Sequence, residues 1–185
     1  MLDIRELGIG PCKFLEKRRA ELAGLRFERI QAAPLSPTIG AELRGVDLAN
    51  LDDETFAEIE RAFLEYKVIF FRDQDISTEQ HLSFAQRFGE LEEHPFIKAK
   101  DGYGEIVSFE KDEKVVGVEN IWHSDVSWRE VPSLGSVLRA RAVPEVGGDT
   151  LWSDMEAAYQ GLPDDLKQRI DGLRAIHDFS QSFGI

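Results

Sequence analysis

The fold of this chain is best inferred from one stretch, Ile121-Trp122-His123-Ser124-Asp125-Val126. On an extended strand, side chains two residues apart point to the same face, so His123 and Asp125 would present an imidazole and a carboxylate side by side. These are two of the three ligands in the facial triad that holds non-haem Fe(II) and leaves positions open for substrate and O2. Apolar Trp122 and Val126 indicate that the other strand face packs against protein.

A His and an Asp at this spacing also occur together on ordinary exposed strands, where they pair locally without a metal. The two interpretations differ in the environment of the pair. An ionisable pair inside a β-sandwich needs a partner for its charge, and a metal ion is a good one. We therefore expect His123 and Asp125 to lie on one strand and to point into a sandwich rather than to solvent.

Composition excludes several functional classes. The 185 residues carry a net charge of -13, which argues against binding to nucleic acid or anionic membranes by bulk electrostatics, although a local cationic pocket could still bind a small anion. Cys12 is the only cysteine, so neither an intramolecular disulfide nor a thiolate metal cluster can form. The sequence has no run of 18 apolar residues and no signal-peptide core at its start, so we expect a cytoplasmic protein.

The periodicity predicts helices early and short strands late. Helical signals cover residues 11–23, 52–66, the residues after the capping box at 77–80, those after a second box at 153–156, and 163–172. Strand signals cover residues 26–32, 38–43, 67–71, 105–109, 122–126, 136–142 and 173–179. This order is typical of an α+β protein built on a β-sandwich or jelly roll.

Other motifs carry weaker signals. Gly147-Gly148-Asp149-Thr150-Leu151-Trp152 reads as a turn, after which Thr150 could offer its hydroxyl to a ligand carboxylate. His94, in a loop, could donate to an anionic substrate or could simply be a solvated turn histidine. His177 is followed directly by Asp178, and adjacent side chains on a strand face opposite ways, so these two form a poor chelating pair.

Seven segments in one order resemble the taurine dioxygenase family, the Fe(II)- and α-ketoglutarate-dependent dioxygenases that also include 2,4-dichlorophenoxyacetate and alkylsulfate dioxygenases. The resemblance runs over about residues 39–183, and residues 1–25 lie outside it. Its segments are residues 39–48, 68–74, 88–91, 94–95, 122–126, 147–152 and 177–179.

The resemblance implies a double-stranded β-helix (jelly roll) with flanking helices, Fe(II) as cofactor and α-ketoglutarate as co-substrate. It assigns His123 and Asp125 as metal ligands and Thr150 as a ligand of an α-ketoglutarate carboxylate. It assigns His94 and Phe183 to the substrate pocket. The implied reaction hydroxylates a small, anionic substrate (a sulfonate, sulfate ester or aryloxy/carboxylate compound) with O2 and releases succinate and CO2.

Departures from the family pattern limit these expectations. Ile97 and Glu119 stand where taurine enzymes have a tyrosine and an asparagine, so the resemblance does not identify taurine as the substrate. The family's second histidine ligand and its anion-binding arginines would follow residue 185. We therefore expect a single domain that lacks its C-terminal strands and does not turn over alone. The alternatives are a cupin-type metalloenzyme and a truncated, non-enzymatic binding paralogue; homo-oligomer formation is left open.

Overall fold

A computed structural model describes residues 15–94, 97, 99–100, 102–110 and 122–178. The described residues form two compact units. The first comprises those up to Phe84 together with Glu145–Asp171, and the second comprises those within Ala85–Pro144 and from Gly172 onward. None of the described helices has the length and apolar character needed to cross a membrane.

Helices and strands mix throughout, as expected for an α+β protein. The helices are α1 (Glu16–Gly24), α2 (Asp53–Tyr66), α3 (Thr78–Gln86), α4 (Met155–Gln160) and α5 (Asp164–Ile170). The strands are β1 (Gln31–Pro34), β2 (Ala41–Arg44), β3 (Ile69–Phe70), β4 (Ala99–Lys100) and β5 (Tyr103–Val107).

A three-stranded sheet of order β1-β2-β3 organises the first unit. β1 and β2 pair antiparallel, which confirms the pairing expected for residues 26–32 and 38–43, although both strands begin later than predicted. β2 and β3 pair in parallel. Gly40, at φ 85°, immediately precedes β2 and donates its backbone N–H to the carbonyl of Tyr66 at 2.8 Å, which joins the start of this strand to the end of α2. Glycine adopts this left-handed conformation without a Cβ clash.

Helix α2 packs its apolar face into the core of the first unit. Asp52, the first residue of the predicted helical stretch, is its N-cap: the Asp52 side chain accepts a hydrogen bond from the backbone N–H of Thr55 at 2.8 Å. The side chains of Ile59 and Ala62 are completely buried. The helix ends at Lys67, which has a left-handed backbone with φ 66°. Helix spacing alone therefore located this element correctly.

Glu58 anchors the segment that leads into β1. Its carboxylate accepts hydrogen bonds from the backbone N–H groups of Glu28, Arg29 and Ile30 at 2.8, 2.9 and 3.2 Å. Burial alone would raise the pKa of the Glu58 carboxyl, but these three donors together hold it below its ordinary value. One α2 side chain thereby satisfies three amides that have no strand partner at this point.

Replacing Glu58 with Gln should lower the free energy of unfolding by about 1 kcal/mol at neutral pH, because a neutral amide oxygen is a weaker acceptor than a carboxylate. A carboxyl whose pKa is depressed on folding stabilises the protein above its ordinary pKa. The difference between the two proteins should therefore be full above pH 4.5 and shrink as the pH falls below it. Urea unfolding across this range measures it, with the exposed Glu60→Gln on the same helix as control. A pH-independent difference would contradict the assignment.

The capping box that precedes α3 is also confirmed. The backbone N–H of Gln80 donates to Ser77 Oγ at 3.2 Å, and the backbone N–H of Ser77 donates to Gln80 Oε1 at 2.7 Å. Phe84, on the inner face of this helix, is buried and meets the Phe71 ring edge-on at 5.7 Å between centroids.

The later strand predictions are mostly wrong within the described residues. β4 and β5 pair antiparallel, close to the strand expected at 105–109. Residues 122–126, 136–142 and 173–178 are irregular instead of extended, and residue 179 lies outside the described part of the chain. Their strand-like composition favours a sheet only where a neighbouring strand supplies a hydrogen-bond ladder, and no described strand pairs with them. The described residues thus form two small sheets rather than a sandwich.

Candidate functional site

The structure brings His123 and Asp125 together as the two-residue spacing predicted. His123 Nε2 lies 3.2 Å from Asp125 Oδ1. Two donors at right angles on a metal, each about 2.1 Å from it, are about 3.0 Å apart, so this separation fits two neighbouring ligands of one ion. Imidazole and carboxylate are also the donor types of a non-haem Fe(II) site. The two side chains therefore suit two of the three ligand positions of a facial triad.

The expected setting of this pair is wrong. Residues 122–124 are irregular and 125–128 form a turn, closed by a hydrogen bond from the backbone N–H of Arg129 to the Val126 carbonyl at 3.0 Å. Val126 has φ 44°, a left-handed conformation that breaks the extended geometry of a strand. Both side chains face solvent in part: that of His123 is 54% exposed and that of Asp125 is 66% exposed.

A third ligand is not assembled in the part of the chain that the structure describes, where no group of three or more His, Cys, Asp or Glu side chains could hold a metal ion. Asp125 Oδ2 instead accepts a long hydrogen bond of 3.5 Å from Ser136 Oγ. His177 Nδ1 lies 2.9 Å from Ser127 Oγ, beside the turn that follows Asp125. His177 therefore contacts the turn that follows Asp125.

His94 has a defined tautomer. The backbone N–H of Ile97 donates to His94 Nδ1 at 3.1 Å, so that nitrogen carries no proton. The proton of the neutral ring is then on Nε2. The other pocket residues named from sequence, Phe183 and Glu119, lie outside the described residues.

Thr150 lies in an exposed loop between a glycine turn and helix α4. Gly147 and Gly148 have φ values of 83° and 73°, as expected for the Gly-Gly turn. Two residues after Thr150, the Trp152 ring packs edge-on against Phe70 of β3, with 5.3 Å between ring centroids. The loop is therefore held to the first unit on the C-terminal side of Thr150.

The N-cap of α4 differs by one residue from the predicted box at 153–156. Asp154, not Ser153, caps the helix by accepting from the backbone N–H of Ala157 at 3.1 Å. Asp154 Oδ1 also accepts from Lys67 Nζ at 2.7 Å. Burial is the largest single influence and would by itself lower the pKa of Lys67 and raise that of Asp154. The hydrogen bonds and charges of Asp154 and Glu156 together nevertheless raise the pKa of Lys67. Hydrogen bonds from Lys67, the Ala157 backbone N–H and the Thr38 side chain together lower the pKa of Asp154.

Lys67 was not anticipated from the sequence, because nothing local distinguishes a lysine after a helix as the partner of a residue 87 positions later. Thr150 belongs to the first unit, whereas His94, His123 and Asp125 belong to the second. Each of these residues is described within its own unit.

Comparison with known proteins gives one consistent answer. The family model described as "Taurine catabolism dioxygenase TauD, TfdA family" matches residues 31–184. The (S)-phenoxypropionate/alpha-ketoglutarate-dioxygenase of Sphingobium herbicidovorans is 42% identical over 156 residues, 81% of this chain and 54% of that protein. The alkylsulfatase of Acinetobacter baylyi is 40% identical over 160 residues, 85% of this chain and 50% of that protein.

Solved structures agree with the sequence comparisons. The crystal structure of a taurine dioxygenase from Burkholderia xenovorans superimposes with a TM-score of 0.73 at 40% sequence identity. The match covers 82% of this chain and 54% of that one. The chain thus spans about half the length of the relatives that it matches.

Proposed function

Because this chain belongs to the taurine catabolism dioxygenase TauD, TfdA family, we propose that the protein carrying it is an Fe(II)- and α-ketoglutarate-dependent dioxygenase. The observation that carries the proposal is the contact between His123 and Asp125, whose donor atoms are 3.2 Å apart. Fe(II) at this pair would supply the activation of O2 that converts α-ketoglutarate to succinate and CO2 and hydroxylates the substrate.

The chain's own residues bind and orient the reactants in this proposal. His123 and Asp125 hold the metal through neighbouring positions, which leaves others open for α-ketoglutarate and O2. Thr150 donates its hydroxyl to a carboxylate of α-ketoglutarate. Its exposed loop position, preceded by the turn at Gly147 and Gly148, leaves that hydroxyl accessible.

The substrate in this proposal is a small anion. His94 donates from Nε2 to its anionic group, supported by the Ile97 hydrogen bond that fixes the tautomer. The names of the relatives include a phenoxypropionate dioxygenase and an alkylsulfatase, which differ in the anionic group they suggest, a carboxylate and a sulfate ester. Phe183 is assigned to the apolar part of the pocket. Ile97, which cannot donate or accept through its side chain, favours a substrate other than taurine.

The proposal also concerns the fold of the whole protein and the location of its remaining metal and anion ligands. The complete fold is a jelly roll with flanking helices, supported by the similarity to a taurine dioxygenase structure. The third metal ligand and the arginines that bind the anions lie outside residues 1–185, supported by the half-length match to the relatives. O2 and a small-molecule substrate are its partners, and it acts in the cytoplasm.

The test is succinate formation by the whole protein that carries this chain, with Fe(II), ascorbate and O2. Sulfonates, sulfate esters and aryloxy acids form the substrate panel. We expect succinate that depends on α-ketoglutarate and rises with one class of substrate. Substrate conversion that does not need α-ketoglutarate would favour a cupin-type metalloenzyme, and the absence of both activity and Fe(II) binding would favour a non-enzymatic protein.

Residues 1–185 alone form the second arm of this test. We expect weak Fe(II) binding and no turnover from them, because two protein ligands hold the metal poorly. Substantial succinate formation by this arm would place a third ligand within the chain or on a second copy of it. That result would reject the location proposed for the third metal ligand and keep the dioxygenase assignment.

A further inference from the structure

Two contacts, one apolar and one charged, join residues 147–154, here called the Thr150 segment, to β3 and to the end of α2 within the first unit. One is the packing of Trp152 on Phe70, which is apolar and adaptable. The other is the hydrogen-bonded ion pair between Asp154 and Lys67, with 2.7 Å between Oδ1 and Nζ. A hydrogen bond between charged groups is about twice as strong as one between neutral groups, so this pair is the main polar attachment of the segment's end.

The backbone of Lys67 indicates that its side chain has a role. Lys67 ends α2 in the left-handed conformation, with φ 66° and ψ -29°. Glycine is the residue that usually occupies this position after a helix, because it has no Cβ to clash there. A lysine in this conformation is less favourable than a glycine, so we expect its side chain to make stabilising contacts that a glycine could not make. Its ammonium contacts Asp154 Oδ1 at 2.7 Å and Glu156 Oε2 at 3.0 Å.

The carboxylate of Asp154 needs this cation. Its side chain is only 6% exposed, and Oδ2 has no hydrogen-bond partner. A carboxylate buried to this extent is unfavourable without a positive partner. If the Lys67 ammonium were removed, the carboxylate would lose its counter-charge, and the segment could restore hydration only by moving away from the first unit.

We infer that Lys67 and Asp154 are positioning residues whose ion pair holds the Thr150 segment at the end of α2, ready to bind a carboxylate of α-ketoglutarate. The inference rests on the proposed role of Thr150. Neither residue touches the co-substrate in this scheme. Their contribution is to order the loop before binding, so that less conformational entropy is lost when α-ketoglutarate arrives.

The decisive variant is Lys67→Gly, because it removes the ammonium while relieving the left-handed backbone. Asp73→Gly is the matched control: Asp73 is another charged residue of the first unit with a left-handed backbone, at φ 53°, but it is exposed and takes no part in the ion pair. Lys67→Arg keeps the positive charge and should behave like the parent. Asp154→Asn keeps an N-cap residue but removes the negative charge, so it breaks the same ion pair by changing its acidic partner.

The first measurement is the backbone order parameter of Thr150 by nitrogen-15 relaxation in residues 1–185. We expect a fall from about 0.85 to below about 0.6 in Lys67→Gly and Asp154→Asn, and no change in Lys67→Arg or Asp73→Gly. Thermal unfolding of each variant is followed in parallel, because a purely structural role would lower the midpoint and leave the order of Thr150 unchanged. An unchanged order parameter in Lys67→Gly would overturn the inference.

The second measurement is calorimetric titration of α-ketoglutarate into the whole Fe(II)-loaded protein without O2. We expect about tenfold weaker binding for Lys67→Gly, a size typical of residues that orient a ligand-binding group, and unchanged binding for Asp73→Gly. Loss of Thr150 order with unchanged affinity would overturn the inference by rejecting the role of Thr150 and would leave the dioxygenase assignment standing. Failure of the parent protein to bind α-ketoglutarate would instead reject the proposed function.

Discussion

His123→Ala and Asp125→Ala should each reduce Fe(II) affinity and succinate formation by more than about 100-fold, the upper end of what residues that only orient a metal ligand contribute. The reason is geometric. With donor atoms 3.2 Å apart, the two side chains fit adjacent positions on one ion, and removal of either leaves a single ligand from this turn. Metal content after dialysis and the rate of succinate formation in the whole protein measure the effect.

Two controls separate metal binding from general damage. His81→Ala removes a histidine from helix α3, and Asp165→Ala removes an exposed carboxylate from the first turn of α5. Both controls should retain metal and activity. If His123→Ala keeps its Fe(II) and the parental rate, the assignment of this pair as metal ligands is wrong.

Ile59→Ala should lower the free energy of unfolding by about 3 kcal/mol, because it removes a fully buried side chain and leaves a cavity that the surrounding core fills only in part. Ile59 is 0% exposed and lies on the inner face of α2, where Phe56 and Ala62 are also buried. Urea unfolding of residues 1–185 measures the change as a lower midpoint with the same slope.

The matched control is Glu60→Ala, one residue further along α2 on its exposed face. It should change the free energy of unfolding by less than about 0.5 kcal/mol. If the urea midpoints of the Ile59→Ala and Glu60→Ala proteins were equal, burial of this face of α2 would not stabilise the first unit, and its assignment to the core would be wrong.

Local signals in the sequence predicted local structure well. Asp52 and the apolar spacing after it located α2, and the reciprocal bonding of Ser77 and Gln80 confirmed the capping box before α3. These features depend on residues within one or two helical turns of each other, so the interactions that form them can be recognised from a short stretch of sequence. The approach of His123 to Asp125 was expected from strand geometry, but it occurs in an irregular segment and a turn, so the reason given for it from the sequence was wrong.

Features that depend on distant residues were missed or wrong. The strand expected at 122–126 requires a partner strand and extended dihedrals, and Val126 adopts neither a strand geometry nor a negative φ. The contact of Lys67 with Asp154 joins residues far apart in the chain, and no periodicity encodes such a pair. The N-cap of α4 is Asp154 instead of the predicted Ser153. The Asp154 carboxylate accepts hydrogen bonds both from the Ala157 backbone N–H and from Lys67 Nζ.

The discontinuity of the first unit has a consequence for how this protein can diversify. Lys67 and Asp154 meet across 87 residues, and the chain between them includes the whole 85–144 excursion into the second unit. The entropy of closing a flexible loop grows only logarithmically, so doubling such a separation costs about 0.6 kcal/mol. Insertions in the excursion that carries His94 and the His123–Asp125 turn are therefore inexpensive for the first unit. Evolution can lengthen residues 85–144 while the unit that holds Thr150 keeps its fold.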